Sequence, residues 1–465
     1  MVRTIEEKIT EYSIKWFDTS NIKKDLKKKS ITGGITASGG QILGFLINTA
    51  STIILARLLL PSDFGIIAMA TAFIGFANLL KDFGLSMAII QREKITHQQV
   101  TSIFWVNLVI CILVALIFTS LAPLIVRFYH ESKLLYITVA YSIGIVISGL
   151  SIQHSALLNR QMKFGKIALG NIISVTLSSI TAVSAAIFGL GYWSIVLMTI
   201  SQITYLTIYL WIACSWRPSS PIKPKGIKEF LHFGSGIAGF NIINYFSRNM
   251  DNILVGKYLG PTALGFYSKA YQLLMLPLTQ LRDPLTTVGI PALSTLSNTP
   301  EKFKAYYKKY LFLMAFFSMP LVTYLAVYSD NVITIVLGQN WLESSLIFKL
   351  LAISAFIQPV ASTRGLILIS TGNSKRFFIW GAINAIFVII GFLIGIKWGI
   401  LGITLSYAIV NYGLLLPSLI YCFQNTPITP KLFFREITTP TIHVIIMCLI
   451  ILPVKYVFFK HFLST

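Results

Sequence analysis

Apolar runs of 17 to 30 residues alternate with short polar connections from Ile31 to Phe459. Inside each run the apolar residues are continuous rather than placed at every second position. That pattern argues against the strands of a membrane barrel and for helices of about 20 residues, the length that crosses a bilayer. Thirteen spans are predicted, at 32–58, 64–80, 101–126, 134–156, 167–188, 193–214, 230–255, 263–290, 308–328, 345–370, 377–396, 399–422 and 438–456. Pro453 and Lys455 leave the end of the last one ragged, so readings with twelve or fourteen spans stay open. Composition agrees with the pattern: 55% of residues are hydrophobic and 12% are charged, about half the charged fraction of a soluble domain.

The net charge of +22 does not indicate nucleic acid, because the basic residues are scattered through short connections where they set orientation. With the amino terminus inside, 26 basic residues fall on inward segments and six on outward ones. This predicts a cytoplasmic amino terminus. The first 30 residues lack the apolar core of a cleaved signal. They are expected to lie as a basic amphipathic helix on the membrane face, with Ile14, Trp16 and Phe17 dipping into lipid. The four cysteines and six histidines are unclustered, so neither a metal cage, a disulfide framework nor a cofactor is expected. The proline-rich basic stretch "SWRPSSPIKPKGIKEF" separates two halves. The predicted organisation is a cytoplasmic segment 1–30, an amino-terminal bundle 31–214, a linker 215–229, a carboxy-terminal bundle 230–422, and an extra span with tail 423–465.

Two phrases echo one another. "ARLLLPSDFG" (Ala56–Gly65) and "GKYLGPTALG" (Gly256–Gly265) align Arg57 with Lys257, Leu59 with Leu259, Pro61 with Pro261 and Gly65 with Gly265. Each stands at the turn between the first and second span of its half. Proline and glycine suit such a turn, and Ser62 or Thr262 is expected to cap the incoming helix. Both copies follow an odd-numbered span, so both lie outside. The halves read as parallel repeats related by an axis along the membrane normal, an arrangement that lets one bundle rock against the other. The fold class is therefore an all-α polytopic membrane protein, two six-helix bundles plus one extra carboxy-terminal span. Glycine clusters in span one (Gly33, Gly34, Gly39, Gly40, Gly44) and span seven (Gly234, Gly236, Gly239) fit close helix packing.

Ionisable residues inside spans are costly and face protein or water. Six are basic: Arg57, Arg248, Lys269, Arg282, Lys349 and Arg364. Arg57 is near an outer end and snorkels. Arg248 shares a helix face with Asp251, and Arg282 adjoins Asp283. Lys269, Lys349 and Arg364 have no partner nearby in sequence. Arg248, Lys269, Arg282, Lys349 and Arg364 are the candidates for holding a diphosphate in a cationic cavity. Asp251 and Asp283 are the candidates for coupling to H+ or Na+.

The stretch "ILARLLLPSDFGIIAMATAFIGFANLLKDFGLSMAIIQ" together with "SRNMDNILVGKYLGPTALGFYSKAYQLLMLPL" resembles spans one, two, seven and eight of the Wzx-type oligosaccharide flippases. This is a polysaccharide branch of the multidrug/oligosaccharidyl-lipid/polysaccharide exporter superfamily, and the likeness is closest to its colanic acid exporters. The resemblance implies a flippase that moves undecaprenyl-diphosphate-linked oligosaccharide across the inner membrane for O-antigen, capsule or exopolysaccharide. It also implies ion-coupled alternating access and work beside a polymerase and chain-length machinery. Arg248, Asp251 and Lys257 match the family's charged phrase. A lipid II flippase or a cation-coupled drug exporter of the same superfamily is the near alternative, although a drug exporter wants acidic residues for cationic cargo. A membrane-embedded polymerase or acyltransferase would want a His/Asp/Glu constellation, which the outer connection 328–344 lacks. A structural subunit would leave the buried charges dispensable.

Overall fold

The computed structural model describes residues 16–17, 26–81, 84–92, 95–220 and 227–462, with side chains except those of 26–31, 88, 227–244, 246–248 and 456–462. Among these residues every regular element is helical. Ten described stretches are long and apolar enough to cross a membrane, and one of them, Ser374–Phe423, is 50 residues long. It holds the predicted eleventh and twelfth spans, which turn back at a 3-10 segment, Ile396–Trp398, and at Gly399 with φ 70°. Predicted spans seven and eight lie in a further helical stretch outside those ten.

By its internal packing the chain divides into Met1–Phe246 and Ser247–Thr465. The first unit runs α1 (Leu26–Leu58), α2 (Pro61–Leu80), α3 (Leu85–Gln91), α4 (His97–Tyr129), α5 (Leu134–Gly149), α6 (Ile152–Arg160), α7 (Phe164–Ile187) and α8 (Trp193–Ala213). Helix α1 packs along α7, α7 along α8, and α4 along α5. Gly33 and Gly40 permit the first of these contacts, because a Cβ on either would meet Phe164 or Ala168 at 2.6 Å. Gly34, Gly39 and Gly44 face open space, and Gly234, Gly236 and Gly239 lie outside the described side chains. The fourth span breaks between α5 and α6. Thr207 and Trp211 of α8 donate to the Ile147 and Leu150 carbonyls, the first of which also accepts the Leu150 N–H, so the backbone remains satisfied inside the span.

Helix α9 (Ile227–Thr295) bridges the division. It is two helical arms, 227–259 and 261–295, meeting at Gly260 (φ 83°, ψ 179°). A left-handed φ of that kind is open to glycine, and Pro261 then starts the second arm with its fixed φ. The equivalent turn in the first unit has Leu60 in an extended conformation (φ −81°, ψ 152°) before Pro61. The expected serine cap is absent there. Asp63 instead accepts the Leu60 N–H at 3.1 Å, because proline at the first helical position leaves the carboxylate one turn in as the nearer acceptor. The second unit continues with α10 (Pro300–Val327), α11 (Ser329–Val336), α12 (Ser344–Ser370), α13 (Ser374–Gly395), α14 (Gly399–Gly413), α15 (Leu415–Phe423) and α16 (Pro430–Phe462). Its core gathers Phe303, Tyr307, Met314, Trp380, Leu419 and Phe433. The extra span, α16, packs along α10 and is part of this bundle.

The repeat is visible in the helix boundaries. Arg160 and Ser370 end α6 and α12, Phe164 and Ser374 begin α7 and α13, and Ala213 and Phe423 end α8 and α15. Each pair is 210 positions apart, as are the positive-φ residues Met162 and Gly372, and Gly189 and Gly399.

The amino-terminal expectation is corrected. Trp16 is 3% exposed and sits in protein rather than lipid. Its indole N–H donates to Ser215 Oγ at 3.1 Å, Lys163 Nζ stands 3.9 Å from its ring centre, and its carbonyl accepts from Gln161. Phe17 meets the His97 ring edge-on at 6.0 Å. Ile14 lies outside the described residues. The physical reason is that the ends of α4, α6, α7 and α8 offer an aromatic, hydrogen-bonding seat, which satisfies the indole better than a headgroup layer does.

Candidate functional site

Arg364 lies in α12, six residues before the helix end that the charge bias assigns to the cytoplasm. Its Nη1 donates to Ser418 Oγ of α15 at 2.9 Å, and its guanidinium carbon is 5.9 Å from the ring centre of Trp380 in α13. Next to it, Thr363 Oγ1 and Tyr307 Oη are 2.8 Å apart. Among the described residues no carboxylate lies within 4.0 Å of Arg364. A guanidinium carries five donors, and Ser418 takes one. What remains is a forked donor set without a counter-charge, suited to a phosphate or carboxylate. Four helices, α10, α12, α13 and α15, build this setting, and only Arg364 itself stood out along the chain.

Two of the other predicted cations, Lys349 and Arg282, are held by carboxylates of their own. Lys349 binds Asp330 at 3.0 Å and 3.1 Å, which corrects its reading as an unpaired anion binder. Asp330 is 19 positions away, across the connection between α10 and α12, so no helical spacing signals the pair. Ser345 also donates to Asp330. Burial raises the Asp330 carboxyl, but the bonds from Ser345 and Lys349 outweigh it and hold it below the usual carboxylate range. Lys349 is also 15 residues from Arg364 on the same helix, about 22 Å along the axis. Arg282 spends its charge on its neighbour, with Nη2 to Asp283 Oδ1 at 2.9 Å. This withdraws Arg282 as a free cation and Asp283 as a free carboxylate, since the two adjacent side chains neutralise each other. Lys269 Nζ donates to Gln272 Oε1 at 2.8 Å, within its own helix. The Arg248 side chain lies outside the described residues.

Asp251 is the buried acid of the second unit, 7% exposed. Oδ2 accepts from the Tyr267 hydroxyl at 2.9 Å and Oδ1 from the Asn252 N–H at 2.8 Å. Tyr267 in turn stacks on Tyr271, with ring centres 6.3 Å apart. Among the described residues no cationic side chain lies within 4.0 Å of Asp251. A carboxylate in that setting is held by donors alone and is suited to taking up a proton or a small cation. Sequence spacing suggested Arg248 as its partner, and that side chain lies outside the described residues; among the described residues the partner is Tyr267, on the second arm. Among the described residues no group of three His, Cys, Asp or Glu side chains is placed to hold a metal ion.

Comparison with known proteins places these features in context. A family model described as "Polysaccharide biosynthesis protein" matches residues 54–346. The teichuronic acid biosynthesis protein TuaB of Bacillus subtilis (strain 168) is 26% identical over 310 residues, 66% of this chain and 64% of TuaB. The chain thus spans just under two thirds of that relative. The lipopolysaccharide biosynthesis protein WzxC of Escherichia coli (strain K12) is 24% identical over 389 residues, 83% of this chain and 79% of WzxC. Among solved structures, the lipid II flippase MurJ in an inward closed conformation superposes with a TM-score of 0.71 at 19% identity, covering 90% of this chain and 93% of that one. At that identity the likeness concerns the fold.

Proposed function

Because the chain belongs to the polysaccharide biosynthesis protein family, we propose that it is a carrier for lipid-linked oligosaccharide. Its cargo is an undecaprenyl-diphosphate-linked unit, delivered from the inner to the outer leaflet of the bacterial cytoplasmic membrane by alternating access. The amino terminus is cytoplasmic, as the 26-to-6 distribution of basic residues favours. The carrier works upstream of a polymerase and its chain-length partner. It is a transporter rather than an enzyme.

The observation that carries the anionic cargo is Arg364, a membrane-embedded guanidinium with no carboxylate beside it among the described residues. A fixed cation of this sort is costly in hydrocarbon and becomes favourable when an anion supplies the missing charge. Asp251 is the coupling group, exchanging H+ or Na+ during the cycle. Its buried setting beside Tyr267 supports that role.

The test uses purified protein in vesicles loaded with lipid-linked oligosaccharide. The expected result is protein-dependent appearance of the sugar at the opposite leaflet, slowed by collapse of the ion gradient. Flipping of a cationic drug instead, with no transfer of the lipid-linked sugar, would remove the proposal.

A further inference from the structure

The first unit buries three polar side chains that make no hydrogen bond of ordinary geometry, although the His154 ring has the Leu150 and Trp216 backbone near it. Asn107, Gln153 and His154 are each 0% exposed. Both amide atoms of Asn107, both of Gln153 and both ring nitrogens of His154 lack a hydrogen bond. Such groups are costly when left unmade, and native interiors hold few of them.

Helix register brings the three toward one another. Helix α4 runs antiparallel to α5 and α6. At one level a Cβ on Gly149 would meet Cys111 Sγ at 2.8 Å, and at another the Phe104 and His154 rings are 6.4 Å apart. Asn107 is three residues from Phe104 and four from Cys111, on the same face of α4. Gln153 is four residues beyond Gly149. This register puts Asn107 at the level of Gln153, one step from His154. The walls are aromatic: His154 stacks on Trp211 at 4.6 Å, and the Trp216 ring stands 5.2 Å away, edge-on.

We infer that α4 and α6 enclose an internal hydration site in which ordered water bridges Asn107, Gln153 and His154. The chemistry selects water over an ion. Each carboxamide offers one donor and one acceptor group, a neutral imidazole offers one of each, and no carboxylate is among the three. A buried water makes about three hydrogen bonds, so six orphaned atoms correspond to about two waters. The site adjoins the break in the fourth span, where Thr207 and Trp211 donate to the Ile147 and Leu150 carbonyls. The joint between α5 and α6 is thereby polar on both sides.

The experiment is microsecond X-ray hydroxyl-radical footprinting of the full chain in lipid nanodiscs, read by mass spectrometry. Radicals born from a bound water label the side chains around it even where bulk solvent does not reach. Phe104 and His154 are expected to be labelled several-fold faster than Phe348 and Phe433, equally buried aromatics of the second unit. Labelling no faster than those two overturns the proposal and indicates that the amides re-pair with each other in a dry interior. In a folded Asn107→Leu/Gln153→Leu double variant, labelling of Phe104 is expected to fall to that background. Persistence there would overturn the role of the amides. If the double variant does not fold, the wild-type rates decide alone.

Discussion

His154 and Arg364 stand 210 positions apart, each eight residues before a left-handed residue, Met162 or Gly372. They occupy the same place in the two halves, and aromatic rings stand beside both: Trp211 and Trp216 at His154, Trp380 at Arg364. The chemistry differs. In the first unit the position is sealed beneath Trp211, with the Arg217 guanidinium 5.1 Å from that ring. In the second it carries a charge with a serine for company. A duplicated scaffold therefore offers one polar position twice, and the two halves fill it with an imidazole and a guanidinium respectively. Fold repetition alone does not assign function to a position; the neighbours do.

The largest expected effect comes from removing the charge. Arg364→Ala is expected to abolish surface polysaccharide in cells while protein level is maintained, measured by polymer staining beside an immunoblot. Arg364→Lys is expected to restore part of it, because an ammonium keeps the charge and loses the fork. Full polymer in the alanine variant would dissolve the contrast between the halves. Asp251→Asn is expected to leave the fold intact and to make flipping in vesicles independent of an imposed ion gradient.

Next comes the reverse swap. His154→Arg places an unpaired cation in a sealed site, and a loss of about 3–5 kcal/mol is expected, read as a lower midpoint in chemical unfolding in detergent. Retained stability would mean that the first unit tolerates charge there as the second does.

A smaller effect concerns Asp330 and Lys349. The folded Asp330 carboxyl lies below its unfolded value, so its contribution is present above the ordinary carboxylate range of about 3.9. It is lost as pH falls through the lower, folded value. Both partners are more than a third exposed, so Lys349→Ala is expected to cost less than about 1 kcal/mol and to flatten that acid-side decline. The smallest effect is Met162→Gly, which makes the first unit match Gly372. Relief of a left-handed φ, offset by glycine's entropy, predicts a gain of about 1 kcal/mol or less in unfolding free energy.

Much of the architecture was legible along the chain. Continuous apolar runs specify membrane helices because length and hydrocarbon thickness must match, and the Gly260–Pro261 turn follows from backbone sterics. The Trp16 seat was not legible, since amphipathicity says that a face is apolar and leaves open whether lipid or protein covers it. Arg364 was legible as a buried charge, but Ser418 and Trp380, which frame it, were not. Lys349 read as unpaired because its acid sits across a turn.

The sequence by itself determined what must be buried and what must be charged, since transfer energies and helix sterics act residue by residue. Only the tertiary structure decided which charges neutralise each other and which buried polar atoms are left over. Those outcomes depend on distances of a few ångströms between helices far apart along the chain, where Coulomb and hydrogen-bond energies change fastest.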